Sequence, residues 1–245
     1  MKFNIDYSRK DIDRVFRFFL GLDLLVAIAF YVIHIFAVDI PLSSLRLWFD
    51  LDSDSSIPCW YSSIKLFLIA CCIFIASQNN SYKRYFPSSW LISLGFLFLF
   101  LSMDEAAAIH ERLNVIAETL QLEWLLIKGH AFWIFLYSVF AFLLFLFSFP
   151  YLKRMWKYFQ NETIKAFTGF LVLGSGGVVV EVIGYFFLRS DLTSISYKVG
   201  VLIEESLEMF GVSIILYSIM LLSLRLAPKN IVDNSKSYFP KSFIQ

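Results

Sequence analysis

The residues of this chain that could do chemistry are concentrated where an apolar segment ends. Residues 102–111 read SMDEAAAIHE and directly follow the apolar run 90–101. A charged side chain at the centre of a bilayer costs roughly 2.5–3.5 kcal/mol on insertion scales, so several charges in one span require counter-charges, shared protons or a bound cation. Segment 102–111 is therefore predicted to belong to a functional site.

A continuous helix through this segment would place two carboxylates on one face. Asp104 and Glu111 are seven residues apart, which separates them by only about 20° at ~100° per residue. The alanines between them would let another helix approach closely. His110 and Glu105 would lie to either side, so the four groups are not expected to face one point.

Two further apolar runs carry acids. Glu181 lies among Gly174, Gly177 and Gly184 at spacings of three, four and three, and this pattern predicts a glycine stripe against which a neighbouring backbone packs. Near the start of the last apolar run, Glu204 shares a helical face with the glutamate four residues later. These acids are predicted to join the same site.

The composition is that of a membrane protein. The 245 residues are 58% hydrophobic, include 28 Phe and have a mean hydropathy of +0.68, which is too apolar for a soluble domain of this length. Gly and Pro are sparse and no alternating ten-residue pattern repeats, which argues against a β-barrel. The net charge of +1 gives no footprint for nucleic acid.

We predict an all-α, polytopic membrane protein whose six transmembrane helices form a bundle. Residues 1–15 are predicted to be a cytoplasmic arm, 16–226 the transmembrane domain, and 227–245 a flexible cytoplasmic tail. The predicted spans are about 16–38, 59–77, a third from 90, then 125–149, 164–188 and 199–224. Pro150 is expected to end the fourth span, because proline lacks the amide hydrogen that a helix interior needs.

The charge distribution predicts the orientation. Of the 21 Lys and Arg residues, 15 fall in the terminal segments, the loops 78–89 and 150–163 and the adjoining helix ends. The positive-inside rule then places both termini in the cytoplasm. This orientation collects the three histidines and at least five intramembrane carboxylates in the outer part of the bilayer.

Crowded carboxylates in a low dielectric need compensation, and imidazole together with carboxylate suits Zn, Mn or Fe. We therefore predict a divalent-metal site, and its ligands are expected among Asp104, His110, His130, Glu181, Glu204 and His34. Glu111 or Glu208 would act as the general base on bound water. The predicted function is a metal-dependent membrane hydrolase acting on a lipid or on a small substrate from the periplasmic side.

Two alternatives remain open. One is an ion- or proton-coupled transporter or channel, in which Asp23 and His34, on one face of the first span, extend a polar path inward. The other is a non-catalytic sensor or assembly factor whose acidic network only holds the bundle together. Lys65 could either reach outward to the interface or provide a counter-charge for acids on other spans.

The chain resembles multi-pass bacterial membrane proteins that have no settled activity. The resemblance rests on IPCWYS at 57–62, on LSMDE at 101–105 followed by HERL at 110–113, and on EESLEMFG at 204–211. It extends over about residues 15–225. It implies a bacterial origin and a site shared with those proteins, and it transfers no mechanism.

Overall fold

The computed structural model describes residues 8–37, 43–120 and 132–226, and within them it contains helices and no strand. Six helices or helix pairs are long and apolar enough to cross a membrane, which confirms the predicted number of spans. The α-helices are α1 Arg9–Phe30, α2 Ser43–Trp48, α3 Ile57–Gln78, α4 Asn80–Lys83, α5 Ser88–Ala107, α6 Ile109–Thr119, α7 Phe132–Tyr158, α8 Gln160–Gly174, α9 Glu181–Phe187 and α10 Ile195–Leu226. Wider π-helical turns at Tyr31–Phe36 and Ser175–Val180 extend α1 and join α8 to α9.

The first helix begins earlier than the sequence predicted. Ser8 precedes α1, and its backbone N–H donates a hydrogen bond of 2.9 Å to the Asp11 carboxylate. This arrangement is half of a capping box, which satisfies an amide at a helix start. Residues 9–15 therefore belong to α1 and not to a separate arm. Residues 1–7 and the predicted tail, 227–245, lie outside the described residues.

The prediction that Pro150 ends the fourth span is wrong. Helix α7 continues through Pro150 to Tyr158. A proline inside a helix removes one backbone hydrogen bond, but such prolines are tolerated in membrane helices when the surroundings satisfy the freed carbonyl. The continuation carries Lys153, Arg154 and Lys157 as part of the same helix.

Helix α10 is the centre of the bundle. It packs extensively against α8, α1 and α3, and α3 packs in turn against α5. Ile69 and Ala70 of α3 and Ile215 of α10 are fully buried in the resulting core. Helix α7 contacts mainly α6 and α8, and most of its large apolar side chains are exposed. One wall of the bundle is therefore only loosely attached to the rest.

Glycines allow α8 and α10 to cross closely, but of the glycines in the predicted stripe Gly177 alone meets α10, through the Glu208 side chain. A Cβ at Gly211 would lie 2.5 Å from the Leu173 backbone nitrogen and 2.8 Å from the carbonyl oxygen of Gly169, whereas one at Gly174 or Gly184 would have nothing within 4 Å. The π-helical turn between α8 and α9 explains the difference, because its extra residue changes which positions share a face.

A buried ion pair joins three helices near the middle of the bundle. The Nζ of Lys65 on α3 lies 2.7 Å from Oδ1 of Asp23 on α1, and both side chains are fully buried. Lys65 also donates to the carbonyl oxygen of Met209 at 2.9 Å, while Ser213 and Tyr61 donate to Asp23 at 2.6 and 2.7 Å. Of the two roles left open for Lys65, the structure shows that of a counter-charge, with Asp23 as its partner.

Breaking this pair from one side should destabilise the protein strongly. We expect Lys65→Met to lower the free energy of unfolding by about 3–5 kcal/mol, because it leaves the Asp23 charge buried without compensation. The double variant Asp23→Leu, Lys65→Met should recover most of that loss. Thermal unfolding of the purified proteins measures both effects.

Arg14→Met is the matched control for the lost cation. The Arg14 and Asp11 side chains form a pair that is 72% and 47% exposed, and such pairs contribute about 0–1 kcal/mol. Equal losses for Lys65→Met and Arg14→Met would contradict the structural importance of the buried pair.

Candidate functional site

One large cavity runs along the inside of the loosely attached wall. Its volume is about 1220 Å³, larger than the 300–1,000 Å³ of usual small-molecule sites. On α7 its lining extends from Trp133 to Trp156, about 35 Å along the helix, whereas a bilayer core is ~30 Å thick. The cavity is therefore long enough to cross the hydrocarbon region.

The two ends of this cavity differ in chemistry. Nine carboxylates lie at or near one end, which we call the acidic end: Asp52, Asp54, Asp104, Glu105, Glu111, Glu181, Glu204, Glu205 and Glu208. His110 and Arg189 line the same end. The remaining lining is largely apolar and includes Leu94, Phe98 and Leu144. The cavity is thus an apolar crevice with a strongly acidic end.

A break between α5 and α6 shapes the acidic end. Ala108 has a left-handed backbone conformation (φ 49°, ψ 44°), which is unfavourable for a residue with a Cβ. The Asp104 carboxylate offsets this cost, because its Oδ1 accepts a hydrogen bond of 2.8 Å from the His110 backbone N–H and lies 3.2 Å from the His110 Nδ1. Asp104 therefore caps α6 and holds the imidazole.

This break overturns the predicted arrangement of segment 102–111. A continuous helix would have put Asp104 and Glu111 on one face and His110 about 120° away; instead the structure pairs Asp104 with His110. Alanine is the best helix former, so the three alanines before Ile109 gave no local signal of a break.

The His110 imidazole has an electrostatic setting that favours its charged form. Desolvation alone would lower the pKa of His110. The hydrogen bond with Asp104 and the charges of Asp104, Glu111 and Glu105 outweigh it and raise that pKa to about 9. The Trp133 ring meets the imidazole edge-on, with centroids 5.2 Å apart. These neighbours therefore favour the imidazolium form of His110 at neutral pH.

The second cation of the acidic end is Arg189, just after α9. Its Nη2 lies 3.0 Å from each carboxylate oxygen of Glu181. Desolvation lowers the pKa of Arg189, but the charges of Glu181, Tyr197 and Glu204 reverse that effect and raise it. The hydroxyl of Tyr197 donates to the Asp52 carboxylate at 2.9 Å. Loop residue Asp52 is thereby tied to α10.

Gly177 leaves room for the Glu208 carboxylate beside the cavity. Where Gly177 stands, a Cβ would lie 2.6 Å from the Glu208 Oε1, so any larger residue would displace the carboxylate. Glu208 also interacts electrostatically with Glu105, Glu181 and Asp104. The structure therefore places acids from α5, α9 and α10 along one cavity, and Asp104, Glu181 and Glu208 of the predicted site are among them.

Sequence reasoning missed part of this site. Glu105, Glu205, Arg189 and Asp52 all line the acidic end but were not among the predicted site residues. Glu205 directly follows Glu204 in the sequence. It was not predicted to belong to the site because Glu204 and Glu208, four residues apart, share a helical face that Glu205 does not. Asp52 and Arg189 lie between the spans, and their positions depend on how the connections fold over the helix ends.

One predicted metal ligand does not line the cavity, and a second lies outside the described residues. His34 stacks on Phe30 and places its Nε2 3.1 Å from the carbonyl oxygen of Arg46, and it does not line the cavity. His130 lies outside the described residues. Over residues 8–37, 43–120 and 132–226, no three His, Cys, Asp or Glu side chains converge closely enough to hold a metal ion.

The stabilising effect of the His110–Asp104 pair should be lost as the pH becomes alkaline. The pKa of His110 is raised above its ordinary value of 6.5 to about 9. Its contribution should therefore be complete below about pH 6.5 and disappear as the pH rises through about 9. We expect the difference in melting temperature between the natural protein and His110→Gln to shrink over that interval.

The comparison with His110→Gln removes the effect of other titrating groups, because both proteins carry them. Two melting curves that stay parallel from pH 6 to pH 10 would contradict the assigned interaction.

No curated protein and no solved structure matches this chain. The sequence profile of one family, described as a domain of unknown function (DUF8692), matches residues 19–224. This range includes all or part of each of the six long helices, in agreement with the resemblance to proteins of unsettled activity. The chain therefore belongs to the family described as domain of unknown function DUF8692.

Proposed function

We propose that this protein binds an amphipathic, lipid-like ligand in the membrane, with the apolar chain in the crevice and the polar head at the acidic end. The observation that carries the proposal is the continuity of the cavity, which joins an apolar lining of membrane length to a cluster of charged side chains. A free polar metabolite would make no contact with the apolar lining of the cavity. A hydrocarbon would leave the charged side chains of the acidic end without a polar partner.

The loose packing of α7 supports entry from the lipid. Its large apolar residues, such as Phe142 and Leu146, are 60% and 52% exposed. Since it contacts mainly α6 and α8, a chain could pass between α7 and α5 without opening the core around α10. Within the described residues, α7 and α5 meet at few side chains, including a 3.1 Å hydrogen bond from Trp90 to Ser148.

We further propose a bacterial inner-membrane location with both termini in the cytoplasm. The support is the positive-inside bias of the Lys and Arg residues. The Lys153 end of α7 would then face the cytoplasm, and the acidic end would lie in the outer leaflet.

Filling the crevice should abolish binding of a chain. Gly174 lines the cavity, and a Cβ there would meet nothing within 4 Å, so Gly174→Phe should place its ring in the open space. The test uses a diazirine-bearing dodecyl probe and protein in nanodiscs. We expect the probe to label the cavity-lining peptides of α5 and α7 at least tenfold less in this variant than in the natural protein.

Gly21→Phe is the control, because Gly21 also has open space around a Cβ but does not line the cavity. It should label like the natural protein. Labelling spread evenly over all lipid-facing helices, or unaffected by Gly174→Phe, would refute the crevice as a binding site.

A second candidate is the metal-dependent hydrolase, which one observation favours. Among the described residues, nine carboxylates share the acidic end with two cationic side chains, His110 and Arg189, and a divalent cation would balance part of the excess. Because Asp104 and Arg189 already bind His110 and Glu181, Glu204 and Glu208 are the acids best placed to turn toward a metal. Glu111 would then act as the general base.

Elemental analysis tests this candidate. Protein purified without chelator should contain close to one equivalent of Zn, Mn or Fe, and the double variant Glu204→Gln, Glu208→Gln should lose it. Glu162→Gln should retain the metal, since Glu162 pairs with Arg225 far from this end. A metal-free natural protein would exclude the candidate.

The transport and sensor alternatives stay predictions. Transport would need a mobile charge at Asp23, but that carboxylate is fully buried and bound by Lys65, Tyr61 and Ser213.

A further inference from the structure

The charges of the acidic end indicate what kind of head group it accepts. Building on the ligand-binding function proposed above, we propose that the ligand is a cationic amphiphile, a long alkyl chain ending in an amine, and that Glu204, Glu205 and Glu208 bind its ammonium group. The alkyl chain would occupy the apolar lining that continues from these glutamates.

The first step is the charge balance of the lining. The two cations of the acidic end are already paired, Arg189 with Glu181 at 3.0 Å and His110 with Asp104 at 3.2 Å. In the described part of the chain, no salt bridge within 4.0 Å is seen for Glu204, Glu205 or Glu208. Among the described residues, the carboxylates of this end therefore outnumber the cations that pair with them.

The second step is the position of these glutamates relative to one another. Glu205 interacts electrostatically with Glu208, Glu105 and Glu204, so acids of α5 and α10 are close enough to affect one another. Like charges at low dielectric repel strongly. A ligand that brings a positive charge would relieve this repulsion, whereas a phosphate or sulfate head would increase it.

The third step is the apolar lining next to the glutamates. Leu101, Phe170 and Leu173 lie between the acidic end and the far end of the cavity. Apolar surface removed from water contributes about 25 cal/mol per Å², so an alkyl chain attached to the ammonium would bind there as well. The combination selects an amphiphile over a free amine.

The fourth step is an unsatisfied hydroxyl. The Tyr137 hydroxyl is buried near Asp104 and makes no hydrogen bond of normal geometry, although it lines the cavity. A buried hydroxyl without a partner costs free energy. An ammonium donor or a polar atom of the ligand head would satisfy it.

Competition between three twelve-carbon compounds tests the proposal. Dodecylamine, dodecanol and dodecyl phosphate share one chain and differ in head charge. Each would compete with the diazirine-bearing dodecyl probe for the full-length protein in nanodiscs of neutral lipid, with Mg²⁺ and Zn²⁺ either removed or added. We expect dodecylamine to compete at least tenfold better than dodecanol, and dodecyl phosphate to be the weakest competitor.

Variants separate the head-group contacts from the chain contacts. The double variant Glu204→Gln, Glu208→Gln should weaken competition by dodecylamine about tenfold and leave competition by dodecanol unchanged. The control variant Glu162→Gln should change competition by neither compound. Because glutamine keeps the size of glutamate and removes repulsion, the double variant is expected to fold, and its melting temperature provides the check. The single variant Glu205→Gln offers a second measurement if the double variant melts early.

Each outcome decides a different point. Equal competition by dodecylamine and dodecanol would overturn the cationic head and leave chain binding intact. Competition by dodecyl phosphate that depends on added metal would also overturn it, in favour of the metal-dependent candidate. Absence of probe labelling in the crevice would refute the proposed function itself.

Discussion

The Lys65–Asp23 ion pair constrains the rest of the bundle. It connects α3 to α1, and through Met209 and Ser213 it connects both to α10. Two opposite charges in the apolar interior are tolerated only when their geometry and additional hydrogen bonds compensate for lost hydration. These contacts therefore restrict how α1, α3 and α10 can pack against one another. Their rigid arrangement leaves α5, α7 and α8 to form the walls of the crevice.

The two halves of the molecule therefore have different physical characters. On the side of α1, α3 and α10, buried apolar residues and the ion pair give a tightly packed core. On the side of α7, the largest side chains are exposed and the contacts are few. A membrane protein can sustain such a wall, because lipid chains solvate exposed apolar residues as well as another helix would. The crevice lies at the boundary between the two halves.

The acidic end is assembled from separate departures from regular helix. Ala108 breaks the third span so that Asp104 reaches His110, the π-helical turn at Ser175–Val180 changes the register of the fifth, and Gly177 admits the Glu208 carboxylate. Non-ideal backbone of this kind is frequent at functional sites. The coincidence of two such features at one end of the cavity, with Gly177 inside one of them, supports a ligand-binding role for that end.

The number of spans and the segments that carry charge into them could be predicted from the amino-acid sequence, because hydrophobicity over about 20 residues is a local property. The sequence also indicated that acids from segments 102–111, 174–184 and 203–211 belong together. The partners of these acids could not be predicted and are known from the fold. Asp104 pairs with His110 across a helix break that the neighbouring alanines do not signal. Glu181 pairs with Arg189, and Lys65 pairs with Asp23 and not with the acidic cluster. Pairing in a low dielectric depends on distances between helices that are far apart in the chain, and no local pattern contains those distances.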